Sequence, residues 1–226
     1  MKLDPSVFLA TLSLPAVAVL LACSPLSARA LTTTVTSEAA WQASVIAATT
    51  INFDDLPDGT AVGLQYQPLG ATFASFNGGA PVVAAESAPY SLPHMLSVDA
   101  PAGGGGGVEV SFSTLQAGVG LWYSDSQFAG NLIVLYRAAD QVLASYEMAW
   151  PHPTEWLFVG FTSDIADIAR VEVSMGDFDR VTLDDFQFAV TAVPEPAPLA
   201  LLLAGGLLVA WRTNRQAVAV AGYPVL

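Results

Sequence analysis

Hydrophobic and polar positions follow two different patterns along the chain. At the ends the apolar residues are continuous: Val7 to Leu21 is an uncharged, mostly apolar run of 15 residues, and Leu199 to Trp211 is an uncharged run of 13 rich in Leu, Ala and Gly. Between them the apolar residues come in short bursts, separated by turn-forming clusters such as Leu56-Pro57-Asp58-Gly59, Asn77-Gly78-Gly79, Ser124-Asp125-Ser126 and Trp150-Pro151-His152-Pro153. Val, Phe, Tyr and Leu dominate the bursts. They predict strands at 50–53, 71–76, 81–84, 95–98, 108–112, 118–123, 132–137, 142–148, 156–161, 171–175 and 181–188. Ahead of these, the β-branched residues from Thr32 to Thr36 read as another short strand. Ser37 to Ile46 is the one convincing helix of this middle part, with Ser37 as its N-cap and Trp41 and Val45 four apart on one face. Many short strands without helices between them predict an all-β fold: a single antiparallel β-sandwich with a short N-terminal helix, not a parallel sheet. The five glycines from Gly103 to Gly107 lack the Lys-Ser/Thr that follows a phosphate loop, and read as a flexible connection.

Composition changes the picture mainly at the ends. Hydrophobic residues are 53% of the 226, and the two terminal runs supply much of the excess. Lys2, the first apolar run and the small residues of Ala28-Arg29-Ala30 follow the order of a secretory signal, so residues 1–30 read as a signal peptide cut after Ala30. The run is short for a membrane span of ~20 residues; a retained anchor helix is the alternative. Leu20-Leu21-Ala22-Cys23 also resembles a bacterial lipobox, which leaves lipidation at Cys23 as a second route of processing. Cys23 is the only cysteine. A chain that starts at Leu31 therefore has no disulfide, thiol nucleophile or zinc–thiolate site.

Residues 31–192 carry three arginines (Arg137, Arg170, Arg180), no lysine and 18 acidic residues, a net charge of −15. Such a surface repels nucleic acid and anionic membranes. It serves solubility outside the cell, and it also suits binding of divalent cations.

A sharp change of composition opens at Val193-Pro194-Glu195-Pro196. The apolar run 199–211 follows, and Arg212 and Arg215 come directly after it. Motif, short hydrophobic stretch and basic stop, in that order over residues 193–215, resemble the PEP-CTERM sorting signal. The resemblance implies that the tail is a substrate of an exosortase-type membrane protease. It implies a hydrophobic helix held transiently in the inner membrane, with the arginines on the cytoplasmic side and the domain outside. Such tails usually stop after the basic cluster, whereas Gln216 to Leu226 continues here. A permanent anchor, or a helix packed on the domain, are the other readings of the run. The middle of the chain is similar to the domain many PEP-CTERM proteins carry. The residues are Thr32 to Ala47 followed by Ile51-Asn52-Phe53-Asp54-Asp55-Leu56-Pro57-Asp58-Gly59-Thr60, then Gly70-Ala71-Thr72-Phe73 and the closing Val181-Thr182-Leu183-Asp184-Asp185-Phe186-Gln187-Phe188. This likeness implies a jelly-roll sandwich related to carbohydrate-binding modules, and a fold more firmly than a ligand.

Two acidic pairs are candidate calcium ligands: Asp54-Asp55 early in the domain and Asp184-Asp185 late. In jelly rolls of this kind the first and last strands run side by side, so the pairs converge; turn hydrogen bonding is the competing role. Val181 and Leu183 share one face of the last strand while Phe186 and Phe188 share the other. The slip at Asp184-Asp185 predicts a bulge, or a strand buried on both sides. Trp150 and Trp156 flank a stiff loop. Trp150 is the candidate for stacking on a sugar, and Trp156 reads as core. Trp122 and Tyr123 are adjacent in a strand, so one points in and one out. His94 and His152 are the only histidines, and no nucleophile–base set or metal-ligand pair can be assembled, so no catalytic residue is assigned. The favoured reading is an exported, surface- or matrix-associated structural or adhesion protein. The alternative is a carbohydrate-binding module meeting exopolysaccharide, and the third reading is a hydrolase.

Overall fold

The computed structural model describes residues 32–76, 80–85, 88–99, 105–150, 155–176 and 179–192. The expected signal peptide with Ala28 and Ala30, Cys23, and the tail with Val193, Pro194, Glu195, Pro196, Arg212 and Arg215 lie outside the described residues. Among the described residues no helix is long and apolar enough to cross a membrane.

The elements in chain order are β1 (Thr32–Val35), α1 (Glu38–Ala43), β2 (Val45–Ile46), β3 (Thr49–Ile51), β4 (Ala71–Phe76), β5 (Val82–Ala84), β6 (Met95–Asp99), β7 (Gly106–Gln116), β8 (Gly118–Ser124), β9 (Leu132–Tyr136), β10 (Val142–Glu147), β11 (Leu157–Ser163), β12 (Ile168–Met175), β13 (Arg180–Ala189) and β14 (Thr191–Ala192). All pairings are antiparallel, and every expected strand is present. One sheet runs β1-β11-β8-β13-β6-β5, with β3 also on β13; the other runs β10-β9-β12-β7-β4. Strands β6 to β13 form a ribbon folded on itself: β6 pairs with β13, β7 with β12, β8 with β11 and β9 with β10. The members of successive pairs fall alternately in the two sheets, which is the strand order of a jelly roll.

Period-2 alternation puts one face of each sheet into a shared core. Val108, Val110, Ile133, Leu135, Val171 and Val173 come from the five-stranded sheet. Val119, Leu121, Tyr123, Val159, Phe161 and Leu183 come from the larger one. The expected slip in β13 is a bulge. Asp184 lies opposite Trp122 and Gln187 opposite Gly120, so β13 advances three residues while β8 advances two. Asp185 absorbs the extra residue at φ 41°, in the left-handed region that Asp tolerates better than most side chains. The bulge flips the parity, so Val181, Leu183, Phe186 and Phe188 all enter the same core.

Two local expectations change. The helix stops at Ala43 rather than Ile46, because Ser44 closes it with its backbone N–H on the Trp41 carbonyl, and Val45–Ile46 pair with β14 instead. The glycine run is not all loop: Gly106 and Gly107 open β7.

Helix α1 lies on the outer face of the larger sheet. Ser37 caps it by accepting the Ala40 N–H. Trp41 is fully buried, packs against Phe158 and donates its indole N–H to the Phe161 carbonyl at 3.0 Å. It fits because the floor beneath it is glycine. A Cβ on Gly160 would come within 2.3 Å of the indole ring, and one on Gly120 within 2.8 Å of Phe158.

Gly160→Val should therefore overpack this contact and cost ~1–3 kcal/mol in urea unfolding. Trp41→Ala, which leaves a hole instead, should cost ~3–5 kcal/mol. A Gly160→Val domain as stable as the original would show that α1 does not rest on the sheet as described.

Candidate functional site

Two outward faces carry polar side chains in ordered arrays. The first is at the β13 bulge. Asp184 is fully buried on the helix side of the larger sheet. Its carboxylate accepts the Ser91 N–H at 2.8 Å and the Asp185 N–H at 2.7 Å, and the Ser91 hydroxyl lies 3.1 Å from an oxygen of each aspartate. The segment before β6 is thereby tied to the sheet. A second tie runs from the Trp156 indole N–H to the Ala88 carbonyl at 2.8 Å. Between the two ties Tyr90 stacks on Trp122, with ring centroids 3.9 Å apart and planes 18° from parallel.

This corner is acidic. Glu38 on α1 accepts from Gln42 at 3.1 Å and from Gln187 of β13. Burial pushes the Asp184 carboxyl up to about 7, against the pull of its N–H donors. Burial also raises Asp185, helped by the negative charges of Glu38 and Asp54. The Tyr90 hydroxyl is raised by burial, then by Glu38, Asp185 and Asp184.

The strands expected at 50–53 and 181–188 do run side by side, as β3 on β13, whereas the strand expected at Thr32 to Thr36 is β1 and pairs with β11. Of the early acidic pair, Asp54 accepts the His94 N–H at 2.9 Å and an Asn52 amide hydrogen at 2.8 Å. Asp55 turns away to accept the Tyr66 hydroxyl at 2.6 Å. The charge of Asp54 is felt at Asp185, while Asp55 is bonded to Tyr66 and Asp184 to Ser91. Among the described residues no three carboxylate, histidine or cysteine side chains stand together as metal ligands. Trp150 is 63% exposed, just past the end of β10. Trp156 is half-buried rather than core, because its indole N–H serves the Ala88 carbonyl. Tyr123 points in and Trp122 out.

The second array is the outer face of the five-stranded sheet. The register aligns its outward side chains in rows across the strands. Tyr136, Arg170, Ser111 and Thr72 form one row; Val134, Glu172, Glu109 and Ala74 form the next. Glu172 and Glu109 sit directly opposite one another, a like-charge pairing that destabilises a sheet unless it is bridged. Arg170 bridges it: one guanidinium nitrogen meets Glu172 and lies 3.2 Å from Glu109, and another lies 3.1 Å from Asp140. The same guanidinium covers the Tyr136 ring at 3.6 Å from its centroid, and the Tyr136 hydroxyl donates to Glu172 at 2.8 Å. Ser111 donates to Glu109 at 2.8 Å. The sequence signal for this face was the alternation in β7 and β12, where Glu109, Ser111, Glu172 and Ser174 occupy the positions opposite in parity to the core valines.

No protein-family model matches the chain, and no curated protein does. Among solved structures the chain is similar to an arabinose-bound α-L-arabinofuranosidase, at 19% identity and TM-score 0.48, over 64% of this chain and 26% of that one. It thus spans about a quarter of that enzyme's length. It is also similar to the CBM22-1 xylan-binding domain of Paenibacillus barcinonensis Xyn10C (14%, TM-score 0.42, 65% of this chain and 94% of that one). A family 29 carbohydrate-binding module is similar at 13% and TM-score 0.42, over 67% of this chain and 98% of that one. Identities this low with TM-scores below 0.5 transfer no ligand to this chain.

The bulge makes stability depend on pH. The folded Asp184 carboxyl holds its proton more tightly than the unfolded one, whose ordinary value is 3.8, so the folded state binds more protons between about 4 and about 7. Stability from this group should therefore rise as pH falls through 7 toward 4, with a slope of up to ~1.4 kcal/mol per pH unit. Urea unfolding at pH 5, 6, 7 and 8 measures it. Asp184→Asn should flatten the trend, and a variant with the original slope would assign it to other groups.

Proposed function

We propose that the described domain is a non-catalytic carbohydrate-binding module carried by an exported protein. The observation that supports it is the opposed pair Glu109 and Glu172, held on central strands of an open sheet face by Arg170. Fold stability alone does not call for two facing carboxylates. Recognition of a polyol does: carboxylates accept from sugar hydroxyls, the guanidinium donates to them, and Tyr136 adds an apolar ring edge in the same row. The domain's net negative charge disfavours nucleic acid as the ligand. Both carboxylates pair with one guanidinium, an arrangement that does not suit either as the proton donor of a glycosidase.

Affinity electrophoresis through gels of xylan, mixed-linkage glucan, mannan and an acidic exopolysaccharide tests the reading. Retardation is expected in at least one neutral gel. Glu172→Ala and Tyr136→Ala should each weaken it by roughly tenfold or more at an unchanged fold. Migration unaffected by every polysaccharide would leave the structural or adhesion role as the better reading.

The chain ends belong to the same proposal. The signal ending at Ala30 exports the chain, the run 199–211 halts in the inner membrane at Arg212 and Arg215, and an exosortase-type protease cuts near Val193-Pro194-Glu195-Pro196. The order of motif, run and basic stop supports this. Intact-mass measurement of protein extracted from the native cell surface should find a species that begins at Leu31 and lacks residues 199–211. Surface protein that retains the run in full would overturn the cleavage.

A further inference from the structure

One pole of the sandwich gathers both ends of the described domain and a band of exposed aliphatic side chains. Thr32 pairs with Ser163 at the end of β11, and Ala192 pairs with Val45 just past β13, so the chain enters and leaves here. Backbone hydrogen bonds lock this end: Ala117 N–H to the Ala189 carbonyl and Ser163 N–H to the Ala117 carbonyl, both 2.7 Å, and Asp167 N–H to the Gln116 carbonyl at 3.1 Å. Around them stand Ile46, Leu69, Leu115, Ile165 and Val190, each 43 to 53% exposed. Leu69 and Val190 flank a hollow of about 270 Å³ floored by Phe188.

Two of the acidic residues at this pole are paired with arginines. Asp167 is bound by Arg137 at 3.0 Å and by the Ser163 hydroxyl, and Asp140 by Arg170. Asp164, next to Ile165, adds one exposed carboxylate here, while most of the other described carboxylates lie at the β13 bulge, on the five-stranded sheet and at the opposite end. A domain this acidic is repelled by an anionic bilayer, and the two ion pairs lessen that repulsion at this pole.

We propose that this pole is a membrane-seating surface, which rests against the bilayer interface while the tail is anchored and so fixes the depth of the Val193–Pro196 motif. The proposal rests on the reading of residues 199–211 as a membrane-held segment. Its support is the length of chain between the two. Strand β14 pins the backbone as far as Ala192, and the apolar run starts at Leu199. The seven Cα-to-Cα steps from Ala192 to Leu199 reach at most ~25 Å when fully extended, so the tail holds this pole close to the lipid. A 13-residue helix rises ~20 Å against a hydrocarbon core of ~30 Å, so the anchor is short on its own. Aliphatic side chains entering the interface beside it supply further apolar contact.

The test uses the full chain carrying Cys23→Ser, purified from bacterial inner membrane and reconstituted in phosphatidylethanolamine–phosphatidylglycerol vesicles. A fluorophore is attached at Ile165→Cys on this pole or at Phe128→Cys on the opposite end, where Phe128 is equally exposed. Vesicle flotation reads anchoring, and quenching by lipids with a headgroup-depth spin label reads seating. Flotation is expected for both, with strong quenching at 165 and little at 128. Leu69→Asp with Val190→Asp should abolish the quenching at 165 without loss of flotation. Equal quenching at both sites in floating protein would overturn the seating and leave the anchor intact. Failure to float would overturn the anchor, and the seating with it. Cross-linking of 165 to 165 between copies, without lipid quenching, would overturn it in favour of self-association.

Discussion

The structure turns on one extra residue in β13. This strand is the centre of the larger sheet, flanked by β8 on one side and by β6 and β3 in succession on the other. A regular strand would send either Val181 and Leu183 or Phe186 and Phe188 to the wrong side. The bulge at Asp185 directs all four inward, and the cost of its left-handed backbone is small beside the apolar area of two phenylalanines. It also forces Asp184 into a place where a carboxylate has no access to water. The hydrogen bonds from Ser91 and Asp185 are what make that position tolerable. A segment 93 residues away is thus recruited to satisfy a buried charge, and it brings Tyr90 onto Trp122.

The two outer faces are managed differently. The larger sheet is covered by α1, whose indole needs a floor without side chains, and the glycines of β8 and β11 provide it. The five-stranded sheet is left open. Its outward rows hold charge in place of packing, and Arg170 touches Tyr136, Glu109, Glu172 and Asp140 at once. Removing that guanidinium would leave two carboxylates facing each other without a cation, so Arg170 sustains the face as well as decorating it.

Strand positions were legible because alternation and turn chemistry are local. The Gly118–Ser124 and Ala71–Phe76 strands could be read almost residue for residue, and the parity slip at Asp184-Asp185 announced the bulge. What stayed hidden depends on register. Nothing near Glu109 shows that Glu172 will lie opposite it, and nothing near Ser91 marks it as the partner of Asp184. The same limit explains the aromatic residues. Trp150 and Trp156 drew attention by spacing, whereas the stacked pair is Tyr90 and Trp122, 32 residues apart. Helix α1 is shorter than its spacing predicts, because the helical spacing of Trp41 and Val45 says nothing of β14, which claims Val45 as a strand partner.

The folded ribbon has a temporal consequence. Each of its four pairs joins strands from opposite ends of the β6 to β13 segment except the innermost, β9 with β10, which a short turn connects. The sequence distance between partners therefore grows from the innermost pair outward, and the strand at the centre of the larger sheet is the last of the ribbon to be made. A chain delivered N-terminus first, from a ribosome or through a pore, exposes the edges of β6 and β8 until residues 180–192 have emerged. The Asp184 tie and the core positions of Val181, Leu183, Phe186 and Phe188 all wait for that last segment. Until then those unpaired edges are open to pairing with a neighbour.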